Sequence, residues 1–98
     1  MTIWKNCHAD IFYCDDKPEL KDPGYEVRIT PDEIVISYEG DVGWVNWKGH
    51  DLGGGHYELA SAEVDGRAML HRFGDSEFLE GYWSEGADHG MWRICLAD

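Results

Sequence analysis

The residues that carry the most chemistry when read together are His71, Glu80, Glu58 and Arg93. In the strand registers argued below, His71 stands opposite Glu80, Glu58 lies diagonally across the neighbouring strand, and Arg93 comes beside Tyr82. An imidazole between carboxylates is the minimum for a general base, and it is half of a metal site. Neither role is completed. No Ser or Cys nucleophile falls next to His71, so the set reads as a cross-strand charge group and the chain is expected not to be an enzyme.

The remaining candidates are weaker. Cys7, His8, Asp10 and Cys14 offer soft and borderline zinc ligands, but their spacing matches no structural zinc pattern, and Cys95 stands alone downstream. Gly53-Gly54-Gly55 lacks the following helix and the Lys-Ser/Thr pair that a phosphate cradle requires. His50, Asp51 and His56 flank that glycine run and meet at a cation only if the loop folds back. No metal and no cofactor is expected.

Charge narrows the function classes further. Asp and Glu number 20 against 8 Lys and Arg, for a formal charge of -12, and the acids are spread along the whole chain. Nucleic acid and anionic membrane surfaces are attracted by clustered cations, so this balance argues against both. It attracts a basic protein surface instead, and that pull weakens with salt. The three cysteines are an odd count, no apolar leader follows Met1, and no stretch reaches membrane-spanning length. Free thiols and a cytoplasmic location are the expectation.

The elements that must position these groups are hairpins. Tyr25, Val27 and Ile29 alternate with Glu26, Arg28 and Thr30, and the chain returns through Ile34, Ile36 and Tyr38 after a turn at Pro31-Asp32. This sets Ile29 opposite Ile34, Val27 opposite Ile36 and Tyr25 opposite Tyr38. A Gly40-Asp41 loop then places Gly43, Val45 and Trp47 against Tyr38, Ile36 and Ile34. Asp65-Gly66 brings Ala68 and Leu70 opposite or beside Ser61 and Leu59. Asp75-Ser76 pairs Leu70 with Gly81, Arg72 with Leu79 and Ala68 with Trp83. A loop over Gly86 to His89 puts Trp83, Gly81 and Leu79 opposite Trp92, Ile94 and Leu96. One apolar face survives every turn: Val27, Ile29, Ile34, Ile36, Tyr38, Val45, Trp47, Tyr57, Leu59, Leu70, Leu79, Trp83, Trp92, Ile94 and Leu96. Arg72 is the misfit and is expected at a strand end within reach of water.

The chain is therefore expected to be one all-β domain over residues 1–98, with an antiparallel meander of about seven strands over residues 25–96. Curling into a small up-and-down barrel is favoured over folding into a two-sheet sandwich, because the strands are short and Gly43 and Gly81 suit sharp bends or close aromatic packing. Residues 1–24 stay open between a helix and a strand. Trp4, Cys7, Ile11 and Cys14 fall at helical spacing, whereas Ile11 to Cys14 reads as strand. Asp15 to Pro18 and Asp22-Pro23-Gly24 read as loop.

The same registers define a second face with Trp44, Glu58, Met69, His71, Phe73, Phe78, Glu80, Tyr82, Met91 and Arg93. Aromatic and Met side chains among charges have the composition of an interface. The leading expectation is a non-enzymatic protein that binds a macromolecular partner with a basic surface through this face, as an inhibitor or a mimic of nucleic acid charge. The alternative is a barrel holding a small hydrophobic ligand, which resembles lipocalins and avidin in architecture only. A homodimer fits the exposed aromatic residues as well.

Overall fold

A computed structural model describes every residue except Asp16 and Val42. Eight antiparallel strands close into a barrel in simple meander order. They are β1 (Thr2–Tyr13), β2 (Leu20–Ile29), β3 (Ile34–Gly40), β4 (Gly43–Asp51), β5 (His56–Ser61), β6 (Gly66–His71), β7 (Phe78–Glu85) and β8 (Asp88–Cys95). The ring is shut by β1 pairing with β8, His8 to Tyr13 against Cys95 to Gly90.

The N-terminal segment is strand. Its helical spacing has a local cause: the register shifts between Trp4 and Cys7, where a bulge lets both side chains turn to the barrel interior. A second irregularity falls on β2 opposite Cys7 and His8, with Gly24 at φ 81°. Asp22-Pro23-Gly24 therefore lies inside β2 and not in a loop. Asp15 and Lys17 do lie between strands.

Two of the expected hairpins have the expected register. Ile29 pairs with Ile34 and Val27 with Ile36, and on β6 and β7 Leu70 pairs with Gly81, Ala68 with Trp83 and His71 with Glu80. Two others differ by two residues. On β3 and β4, Gly40 pairs with Gly43, so Tyr38, Ile36 and Ile34 face Val45, Trp47 and Gly49. On β7 and β8 the loop is Gly86-Ala87, with Gly86 at φ 55°, and His89 belongs to β8. Trp83 then faces Gly90 and Trp92 faces Gly81. Opposing each indole to a glycine, and not to the other indole, lets both fit inside a narrow eight-stranded barrel. A shift of two leaves every side chain on its own face, which is why the predicted core survives it. Asp65 takes φ 50° at the end of the β5 to β6 turn, and Gly66 opens β6 opposite Ser61.

The interior is packed with side chains. Trp47, Tyr25, Ile34, Ile36, Leu70, Leu79, Ile94, Val27 and Cys7 are fully buried, joined by Ala9 and Ala68. Ile29 and Tyr38, expected in the core, are only partly buried and flank it. Arg72 sits just beyond β6, half-buried over the Trp4 ring at 5.1 Å, with its Nε donating to the Ser76 carbonyl. The cation thus covers one end of the barrel with its stem and satisfies its head at a turn.

Candidate functional site

The outer wall brings most of the second-face residues together. Reading directly opposite partners around the barrel, Glu58 on β5 faces Met69 on β6, Met69 faces Tyr82 on β7, Tyr82 faces Met91 on β8, and Met91 faces Phe12 on β1. Four consecutive strands therefore present Met69, Tyr82, Met91 and Phe12 as one cross-strand row. Tyr82, Met91 and Phe12 keep 44%, 52% and 41% of their surface exposed, and Met69 is half-buried among them.

A charged row runs alongside. His71 faces Glu80, Glu80 faces Arg93, Arg93 faces Asp10, and Asp10 faces Lys21. Arg93 is the hinge of this row, with Nη2 at 3.3 Å from the Asp10 carboxylate, Nη1 at 3.8 Å from Glu80, and its guanidinium 5.4 Å from the centre of the Phe78 ring. Glu80 thus turns toward Arg93. His71 packs against His56, its opposite partner on β5, with ring centres 4.2 Å apart. No ion pair joins His71 to Glu80 or Glu58 among the described residues.

Two expected members stand elsewhere. Trp44 is 61% exposed at the start of β4, on another side of the ring, and Phe73 is 84% exposed in the turn between β6 and β7. Phe12 is the member that strand reading missed, because β1 had not been separated from a helix. Its signal was the alternation of Cys7, Ala9, Ile11 and Tyr13 with His8, Asp10 and Phe12.

Charge is divided between wall and ends. On the wall, Asp10, Glu26, Glu58 and Glu80 are matched by Lys21, Arg28, Lys48, Arg67 and Arg93. The excess acid lies at the ends, most of all where the β1 to β2, β3 to β4, β5 to β6 and β7 to β8 turns cluster: Asp15, Glu19, Glu39, Asp41, Glu63, Asp65, Glu85 and Asp88. Lys17 at this end binds Asp15 and Asp88 at 3.4 and 3.2 Å. The acidic and aromatic features are thus adjacent surfaces and not one.

That acidic end is also where the interior meets solvent. Tyr25 and Tyr38 stack with ring centres 4.4 Å apart, the Tyr25 hydroxyl donates to the Asp22 carboxylate at 3.1 Å, and Trp47 Nε1 donates to the Tyr38 hydroxyl at 3.1 Å. Burial, reinforced by Tyr38 and Asp22, pushes the Tyr25 hydroxyl well above the usual tyrosine range. Burial raises Tyr38 as well, against the lowering effect of the Trp47 donor. Burial, then the Asp88 charge, holds the Glu85 carboxyl above its ordinary value.

The metal candidates from the sequence do not converge. Cys7 is buried with its thiol directed at the Trp4 and Ala97 carbonyls, Cys14 is exposed, Cys95 is half-buried, and His50 Nδ1 contacts the Asp32 carbonyl at 3.1 Å. No group of three or more His, Cys, Asp or Glu side chains is arranged to hold a metal among the described residues.

Fold and site together define a closed, side-chain-filled eight-stranded barrel with an apolar row on its outer wall. Comparison with protein-family models, with curated proteins and with solved structures gives no match.

Proposed function

We propose that this barrel is a non-enzymatic protein-binding module that docks a partner on the wall formed by β6, β7, β8 and β1. The observation that carries this reading is the register of Met69, Tyr82, Met91 and Phe12, four large side chains standing opposite one another in succession. A contiguous apolar strip rimmed by charged residues is what a protein interface buries at its centre. Scattered exposed apolar residues would not be aligned in this way.

The acidic ends give the partner its character. They create a negative field on both sides of a charge-balanced strip, which steers a basic protein toward it and repels nucleic acid. Mimicry of nucleic acid needs carboxylates along the contact surface itself, and the balanced wall favours steering over mimicry. The apolar interior and charged outer wall are the reverse of the pattern that suits a barrel to lipid. The packed interior weighs against a ligand held inside and toward an outer surface.

The test is capture of partners from cells that make the protein, at low and raised salt. Wild type is compared with Tyr82→Lys, Met91→Lys and, on the opposite wall, Lys48→Glu. A basic protein held by wild type and Lys48→Glu, released by salt, and lost from the two strip variants is expected. Capture indifferent to the strip, or none at low salt, contradicts the reading.

A further inference from the structure

We propose that His56 and His71 form a two-imidazole chelate for a divalent transition ion of borderline softness, of the class of Ni²⁺, Cu²⁺ and Zn²⁺. The site is independent of the docking strip and stands or falls apart from it.

The backbone determines the geometry. Arg72 N–H donates to the Gly55 carbonyl at 2.9 Å, so positions 55 and 72 form a hydrogen-bonded pair across β5 and β6. In an antiparallel ladder the next pair, His56 with His71, is then the non-hydrogen-bonded kind. His56 agrees: its carbonyl accepts from Leu52 N–H at 2.7 Å and its N–H donates to the Gly53 carbonyl at 3.3 Å, both toward the β4 side. Non-hydrogen-bonded pairs bring side chains closest, about 4.5 Å between Cα atoms. Both rings project from the outer wall, and their centres stand 4.2 Å apart at an interplanar angle of 74°.

That spacing suits one ion. Two imidazole nitrogens at ~2.0–2.1 Å from a tetrahedral centre lie roughly 3.4 Å from each other, within reach of rings this close after small side-chain rotations. Neither ring has a hydrogen-bond partner among the described residues, so nothing must be broken to bind. His71 is exposed and His56 half-buried, which leaves a path for the ion. Imidazole selects for these metals over Mg²⁺ and Ca²⁺, which prefer oxygen. No third protein ligand converges among the described residues, so water completes the coordination and the ion stays open to a further donor.

The experiment titrates Ni²⁺ into the untagged full chain carrying Cys14→Ser, which removes the exposed thiol as a competing ligand. Calorimetry and the thermal unfolding midpoint are read. One Ni²⁺ per chain and a raised midpoint are expected, because the folded state binds as a chelate whereas the unfolded chain offers separate imidazoles. His56→Asn and His71→Asn should each weaken binding on the order of a hundredfold, the usual scale for losing an intramolecular second contact. His50→Asn and His89→Asn should leave it unchanged. Equal binding in the His56 and His71 variants, or no binding by a metal-free chain with an unaltered unfolding midpoint, overturns the proposal.

Discussion

The Trp47 indole lies against the backbone of Gly66, so that a Cβ at position 66 would collide with the ring edge at Cη2. Gly66 is required for space alone, since its backbone is not in the left-handed region that favours glycine. Gly66→Ala should destabilise the barrel by about 2 kcal/mol through overpacking. Urea unfolding checks this, with Ala60→Ser on the outer wall expected to change stability by under about 0.5 kcal/mol.

Trp47 and Trp92 are both buried and touch, with ring centres 5.3 Å apart, yet they differ in polarity satisfied. Trp47 Nε1 donates to Tyr38, whereas Trp92 Nε1 has no partner among the described residues. Trp47→Phe should therefore cost about 1 kcal/mol more than Trp92→Phe, because only the first strands an acceptor. Equilibrium unfolding of the two variants reads the difference.

Glu85 supplies a pH dependence. Its carboxyl is raised above the ordinary value, so the fold favours the protonated form; that contribution is complete below the unfolded-state value and is lost as pH rises through the folded one. At neutral pH the charged side chain is a liability, and Glu85→Gln should stabilise by under about 1 kcal/mol. The gain should vanish below about pH 4, where the unfolded carboxyl is also protonated. Chemical denaturation at several pH values measures it.

At alkaline pH the stacked pair takes over. Tyr25 and Tyr38 are both raised, so the stability that they contribute is intact below about pH 10 and is lost above it as the unfolded chain gains by ionising. Phenolate absorbance, followed as the pH is raised, reads the ionisation. Tyr25 and Tyr38 should ionise only together with the loss of sheet signal in circular dichroism.

Much of this fold was legible because the strand period is two. The first hairpin and the β6 to β7 hairpin carry strong turn residues beside clean alternation, and their pairings follow from sequence. At Gly40 to Gly43 and Gly86 to His89 several adjacent residues suit a turn, so turn chemistry alone leaves the loop position free by a residue or two. On β7 and β8 what decides is the interior, where Trp83 and Trp92 each stand across from a glycine, and that is a property of the closed ring. The N-terminal strand was ambiguous for a different reason. The bulge near Lys5 and Asn6 gives Trp4 and Cys7 helical spacing while both face inward.

The candidate site was legible in parity more than in place. Glu58, Met69, His71, Phe78, Glu80, Tyr82 and Arg93 do share the outer wall of β5 to β8. Trp44 and Phe73 are exposed too, but Trp44 stands on β4, on another side of the ring, and Phe73 lies in the β6 to β7 turn at the barrel end. The pairing of His71 with His56 needed the β5 to β6 register, which Asp65-Gly66 left loose because the turn begins earlier, after Ser61.

The most direct test of the docking wall places a photo-crosslinking side chain at position 82 on the strip, and separately at position 48 on the opposite wall, in cells that make the protein. Position 82 should yield adducts to a basic protein that decline with salt and disappear when Met91→Lys is added, while position 48 yields none. Equal adducts from both positions, or adducts at position 82 that survive Met91→Lys, would contradict a partner surface on β6, β7, β8 and β1.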